Sequence, residues 1–147
     1  MSAPTPITVA LVDDYFPIRK FLASYLGSNG FIITCQAANG EDLLNQLAGL
    51  EELPDLCLLD ITMPVMDGYE TAANLRVNYP EIQILAYSSF TDEDRINKIL
   101  RAGAHRFISK DSTPNEVRDA LVDLQLSTYS HINRPLHLGQ AGWSMTG

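Results

Sequence analysis

Short apolar runs alternate with helix-like stretches along the chain, the pattern of an α/β domain built on a parallel sheet. The runs Ile7–Val12, Phe31–Gln36, Leu56–Leu59, Ile82–Tyr87 and Arg106–Ser109 are expected to be five strands. Five helices are expected between and after them. Tyr15–Leu26 places Phe16, Phe21, Leu22, Tyr25 and Leu26 near helical spacing, with Pro17 in the first turn and Gly27 and Gly30 near the stop. Glu41–Leu50 puts Leu43, Leu44, Leu47 and Leu50 on one face, Tyr69–Asn78 follows the turn at Asp67-Gly68, and Asp92–Ala102 carries Ile96, Ile99 and Leu100. The last helix opens with "STPNEV", where Thr113 and Glu116 make a capping box around Pro114, and is expected to run to about Leu126.

Beyond it the pattern stops. "STYSHINRPLHLGQAGWSMTG" has no acidic residue and no periodicity, so residues 1–127 are expected to form the compact domain and 128–147 a tail or the start of a linker. His131, His137 and the single Trp143 fall in that tail without partners that make a metal site, and His105 reads as a solvated loop residue.

In a doubly wound parallel sheet, ligands bind outside the carboxyl ends of the strands. Those ends carry Asp13 and Asp14 after the first strand, Asp60 after the third, Ser88 and Ser89 after the fourth, and Lys110 after the fifth.

Composition narrows the function. A length of 147 residues suits one domain, and a net charge of −8 argues against holding nucleic acid by electrostatics, which needs a basic face. No apolar run approaches the roughly 20 residues of a membrane span, and the start lacks a basic stretch and cleavage site, so a cytoplasmic protein with no membrane contact is expected. Cys35 and Cys57 lie inside apolar stretches and read as buried, reduced thiols.

Taken alone, Asp13 and Asp14 can cap the next helix, the serines can be turn residues, and Lys110 can be a surface lysine. Taken together at one edge they need a cation, because two unit charges about 4 Å apart cost roughly 4 kcal/mol at an effective dielectric near 20. Lys110 answers one of three carboxylates, and a hard divalent ion such as Mg²⁺ would answer the other two. An aspartate beside a divalent cation and a lysine can act as a nucleophile toward a phosphoryl group, with a serine hydroxyl holding a phosphate oxygen.

An acidic pair after the first strand, "DITMPVMDG" around Asp60, "AYSS" after the fourth strand and "FISKD" after the fifth resemble, in that order, the receiver domain of two-component response regulators. The resemblance covers about residues 7 to 126 and comes nearest to the NarL/FixJ class. It implies a flavodoxin-like strand order 2-1-3-4-5. It also implies that Asp60 is the phosphoacceptor, with a Mg²⁺ ion held by Asp14, by Asp13 mainly through water, by Asp60 and by the backbone carbonyl of Thr62. Ser88, with Ser89 beside it, and Lys110 would bind the phosphoryl group, and Phe107 would change rotamer as Ser88 moves. Met63-Pro64 and Asp67-Gly68 would shape the loop presenting Thr62. The implied partner is a histidine kinase or phosphotransfer protein, with homodimerisation on phosphorylation as a further possibility. Such a chain assists its own phosphorylation and dephosphorylation without being an enzyme in the usual sense. DNA would be reached only through an output domain not in this chain, unless the protein is a stand-alone relay.

One departure is Asp111, where many receivers carry a proline after a cis bond. Phosphatases of related fold carry a second aspartate two residues after the nucleophile, where this chain has Thr62. Flavin carriers of similar topology carry a Ser/Thr/Gly-rich phosphate loop where this chain has "DDYFP". A receiver-like module that no longer takes phosphate is opposed by the presence of every chemical residue.

Overall fold

The computed structural model describes residues 5–132, with side chains through 127. Its elements alternate as expected: β1 Thr8–Val12, α1 Phe16–Ser28, β2 Ile32–Ala37, α2 Gly40–Ala48, β3 Leu56–Asp60, α3 Gly68–Asn78, β4 Gln83–Ser88, α4 Glu93–Ala102, β5 Arg106–Ser109 and α5 Pro114–Ile132. The strands form one sheet in the order β2-β1-β3-β4-β5, with every pairing parallel. This is the doubly wound, flavodoxin-like arrangement.

Parallel strands covered by helices on both faces must be apolar on both faces, and β3 at the centre is buried along its whole length. Its alternate residues divide the core. Cys57 and Leu59 join Leu43 and Leu47 of α2, Leu75 of α3 and Ile99 of α4 on one face. Leu56 and Leu58 join Leu22 and Leu26 of α1 and Val117 and Leu121 of α5 on the other. Among the described residues no helix is long and apolar enough to cross a membrane.

The cysteines are free and buried. Both pair with Ala10, Cys35 from β2 and Cys57 from β3. Two strand spacings of about 4.8 Å separate them, beyond the roughly 7 Å between Cα atoms that a disulfide can bridge.

The starts of α1, α3 and α4 lie within one residue of expectation, and the larger differences fall in α1, α2 and α5. Helix α1 runs through Gly27 to Ser28 and stops before Gly30, which takes a φ of +91°. Helix α2 begins at Gly40, capped by Asn39, whose side chain accepts the Asp42 N–H at 2.9 Å; it ends at Ala48, leaving Leu50 outside. Helix α5 continues to Ile132, beyond the expected end at Leu126. Its capping box forms as expected, with Glu116 accepting the Thr113 N–H at 2.8 Å and Thr113 Oγ1 accepting the Glu116 N–H at 3.2 Å. A box fixes only a start. No Gly or Pro stands between Leu126 and Ile132, and adding turns to a nucleated helix is cheap. The side chain of His131, and all of His137 and Trp143, lie outside the described residues.

His105 is also more than a solvated residue. Its Nδ1 accepts the Ile84 N–H at 2.9 Å while its own N–H donates to Ile84 O at 2.9 Å, tying the start of β5 to β4.

Candidate functional site

At this sheet edge the buried polar groups lie at or directly after strand ends. Asp60 is the last residue of β3 and Ser88 the last of β4, and Asp13 directly follows β1. Asp60 and Asp13 are each 4% exposed and Ser88 2%, whereas Asp14 is open to solvent. Burying carboxylates this deeply is costly unless they are paired.

Lys110 supplies the pairing. Its Nζ lies 2.9 Å from Asp13 Oδ2 and 3.3 Å from Asp60 Oδ1, so it bridges the ends of β1 and β3 from beyond the end of β5. Burial alone would lower its pKa, but the bond to Asp13 and the charges of Asp60 and Asp13 outweigh this and hold it above the ordinary value. The Lys110 N–H donates to Ser88 O at 2.9 Å, joining β4 to the same edge.

One lysine does not balance three acids. One carboxylate oxygen from each of Asp13, Asp14 and Asp60 lies within 4.8 Å of the other two. Burial first and the Asp13 charge second push Asp60 up to about 7, against the pull of Lys110. An acid whose pKa is displaced this far in a charged cleft is a candidate for chemistry.

The donor set suits a small hard cation, being entirely oxygen, with Asp14 facing solvent where an ion can enter. Asp13 divides its two oxygens. Oδ1 accepts the Tyr15 N–H at 2.9 Å in a turn just before the helix, while Oδ2 turns to Lys110. The N-cap of α1 is Tyr15 and carries no side-chain cap bond, so neither Asp13 nor Asp14 caps that helix.

The loop after β3 contains Val65 with a φ of +69°, flanked by a tight bond from the Met66 N–H to Pro64 O at 2.8 Å. A β-branched residue in that region is strained. Helix α3 begins at Gly68, where a Cβ would stand 2.4 Å from Asp60 O and 2.6 Å from Ile61 Cα, so only glycine lets the helix start this close to the end of β3. The Ile61, Pro64, Met66 and Asp67 carbonyls accept protein hydrogen bonds; among the described residues none reaches that of Thr62.

The structure therefore brings Asp13, Asp14, Asp60 and Lys110 into one cluster. Ser88 is tied to it through the backbone of Lys110, and its Oγ accepts the Phe90 N–H at 3.0 Å. Ser89 is exposed, and among the described residues no hydrogen bond joins it to the cluster. Phe107 is half-buried on β5 against the α2–α3–α4 side of the core. All described peptide bonds are trans, including the one before Asp111.

Two neighbours were not expected from the sequence. Arg19 of α1 donates Nη1 to the Asp13 carbonyl at 2.6 Å, fixing the turn that carries the acidic pair. The Tyr87 ring lies 5.4 Å from Lys110 Nζ and walls one side of the site. Arg19 lies in the first turn of α1, its N–H donating to Tyr15 O at 3.1 Å, and no spacing in the sequence singles it out.

The model of the response regulator receiver domain matches residues 9–122. The transcriptional activator protein ExaE of Pseudomonas putida is 36% identical over 91% of this chain and 65% of its own length. The response regulator protein VraR of Staphylococcus aureus is 30% identical over 78% of this chain and 54% of its own. This chain thus spans less than two thirds of those relatives. Among solved structures, the signal receiver domain of NarL from Mycobacterium tuberculosis superposes with a TM-score of 0.77 at 30% identity, covering 83% of this chain and 98% of that one. CheY in a CheX–CheY complex from Borrelia burgdorferi with BeF3 and Mg²⁺ gives 0.75 at 30% identity, covering 80% and 88%.

Proposed function

The chain belongs to the response regulator receiver domain family, and on that premise we propose that it is a phosphorylation switch whose acceptor is Asp60. The observation that carries this reading is the buried Asp60 carboxylate, 3.3 Å from Lys110 Nζ and grouped with two further carboxylates at one sheet edge. That set has a nucleophile, a cationic partner for the incoming phosphoryl oxygens and a place for a metal.

The donor is the phosphohistidine of a histidine kinase or of a phosphotransfer protein. An Asp60 oxygen attacks phosphorus, the P–N bond breaks, the imidazole, already protonated on its other ring nitrogen, leaves as the neutral base with the P–N electron pair, and an acyl phosphate forms. A Mg²⁺ ion held by Asp13, Asp14, Asp60 and the Thr62 carbonyl would neutralise the oxygens of the transferring group. Lys110, already between Asp13 and Asp60, then turns its Nζ to a phosphoryl oxygen.

Ser88 reads the result. Its Oγ accepts from Phe90, which leaves the hydroxyl hydrogen to donate to the phosphoryl group, with Ser89 on the exposed side of the same turn. Phosphorylation replaces one carboxylate charge with roughly −1.5 to −2 and adds acceptor oxygens, enough to draw Ser88 and the following loop inward. Phe107 follows into the space this opens, remodelling the face formed by α4, β5 and α5. The protein assists its own phosphorylation and dephosphorylation rather than turning over a separate substrate.

The receiver extends to the end of α5 at Ile132 rather than to residue 127, and the residues after it lead toward an output segment. The relatives extend well beyond the matched region and one is named as a transcriptional activator, which favours a DNA-binding output reached through that segment.

Amide NMR with Mg²⁺ and beryllofluoride tests the switch. Shifts are expected around Asp60, Ser88 and Phe107; an unchanged spectrum in the wild-type protein overturns the proposal.

A further inference from the structure

The loop of residues 61–67, which follows the acceptor, is braced from outside the acidic cluster. Ile61 O accepts the Gly68 N–H at 2.7 Å, and Asp67 O accepts both the N–H of Thr71 at 3.0 Å and its hydroxyl at 2.6 Å, all from the adjoining helix α3. Met66 O instead accepts the Gly40 N–H at 3.1 Å, from the first residue of α2.

That contact is very close. A Cβ on Gly40 would stand 1.9 Å from Thr71 Oγ1 and 2.7 Å from Met66 Sδ. Met66 is flexible and half-buried, so it can yield. Thr71 is fully buried and its hydroxyl is committed to Asp67 O, so it cannot turn away without releasing the loop. Gly40 cannot retreat either, because its helix start is pinned on both sides: Asn39 accepts the Asp42 N–H at 2.9 Å, and Asp42 Oδ2 accepts the Ala38 N–H at 3.1 Å.

The brace also accounts for the strain. Val65 at a φ of +69° lies between Pro64 and Met66, and strained backbone persists only where its surroundings hold it. The bond to Gly40 anchors the residue directly after it.

We infer that Gly40 is a positioning residue for metal binding: its bare backbone seats α2 on Met66 and Thr71, and this fixes where the Thr62 carbonyl stands relative to Asp13, Asp14 and Asp60. The inference rests on the reading of Thr62 as a metal ligand. It assigns to the β2–α2 turn, which contributes nothing to the acidic cluster itself, a part in setting the affinity for Mg²⁺. Backbone and helix-start contacts here play the part that hydrogen-bonded outer partners play around other metal sites.

The test is a Mg²⁺ titration followed by amide NMR on wild type, Gly40→Ala, Gly40→Ala/Thr71→Ala and Leu47→Ala. Gly40→Ala is expected to weaken Mg²⁺ about tenfold, the low end for loss of an outer partner. The double variant removes the hydroxyl that the new Cβ strikes but also its bond to Asp67 O, so its affinity stays below wild type; wild-type affinity there would also overturn the inference. Leu47→Ala lowers the unfolding temperature through the core of the same helix but keeps wild-type affinity. In wild type, which needs no variant to fold, Mg²⁺ slows hydrogen exchange of the Gly40 amide several-fold. Wild-type affinity in Gly40→Ala, an equal loss in Leu47→Ala, or Gly40 exchange indifferent to Mg²⁺ each overturns the inference while leaving the phosphorylation switch standing. A wild-type protein that binds no Mg²⁺ overturns the metal reading itself, and the inference with it.

Discussion

The two ends of the sheet solve opposite problems with similar residues. At the amino end, polar side chains close the strands against one another. Asp55 Oδ2 accepts the Thr8 N–H at 3.0 Å, the Asp55 N–H donates to Thr8 Oγ1 at 2.8 Å, and His105 Nδ1 takes the Ile84 N–H at 2.9 Å. At the carboxyl end, Asp13, Asp14 and Asp60 crowd within 4.8 Å of each other around the single amine of Lys110. An aspartate at one end is a staple, and at the other one of three acids sharing a single amine. Folds tolerate such local conflict where it serves a function. The stability cost therefore marks the working end as surely as the residue types do.

The largest expected effect is that of Lys110→Ala in the absence of metal. Removing one partner of a buried pair typically costs about 3–5 kcal/mol, and here it leaves Asp13 and Asp60 facing each other. Urea unfolding should show the loss, and Mg²⁺ should restore more stability to this variant than to wild type. Equal stability in both proteins without metal would erase the contrast between the two ends.

Next is Asp60→Asn, which should raise stability without metal. The pKa of Asp60 is pushed from 3.8 up to about 7 in the fold. Between those values the native state holds a proton that the unfolded state has released, so wild-type stability falls as pH rises through that window. At pH 8 the variant should be more stable than wild type by on the order of 2–4 kcal/mol, narrowing as pH falls toward 4. Urea midpoints measured across that range check both sign and window. A variant less stable than wild type at pH 8 would show that the cluster is already compensated.

Asp55→Ala probes the other end. It leaves the Thr8 amide without its side-chain acceptor and should cost about 1–3 kcal/mol, with Mg²⁺ binding and phosphorylation unchanged. An altered Mg²⁺ titration would mean that the ends are not separable.

Much of this was legible in the sequence, for a physical reason. Strands buried on both faces must be apolar runs, so the five runs lie within a residue or two of the five strands, and Asp60, Lys110 and the acidic pair sit where those runs stop. What escaped depends on contacts far apart in the chain. Composition alone does not distinguish Ser88 from Ser89, and only the resemblance singles out Ser88; the structure buries the first and exposes the second. Arg19 reads as one more helix surface residue until α1 is laid over the Asp13 carbonyl. Gly40, just before the expected helix at Glu41, carries no local mark of the close packing of Thr71 and Met66 against it, 31 and 26 positions along the chain. The end of α5 was misplaced because composition marked where acidic residues stop, which is not where a helix must.

The central claim is that Asp60 is the nucleophile. It is tested most directly by acid-labile phosphate incorporation from a small phosphodonor with Mg²⁺, in wild type and in Asp60→Asn. One phosphate per wild-type chain and none in the variant is the predicted result. Labelling that persists in Asp60→Asn at the wild-type level would place the acceptor elsewhere and contradict the account.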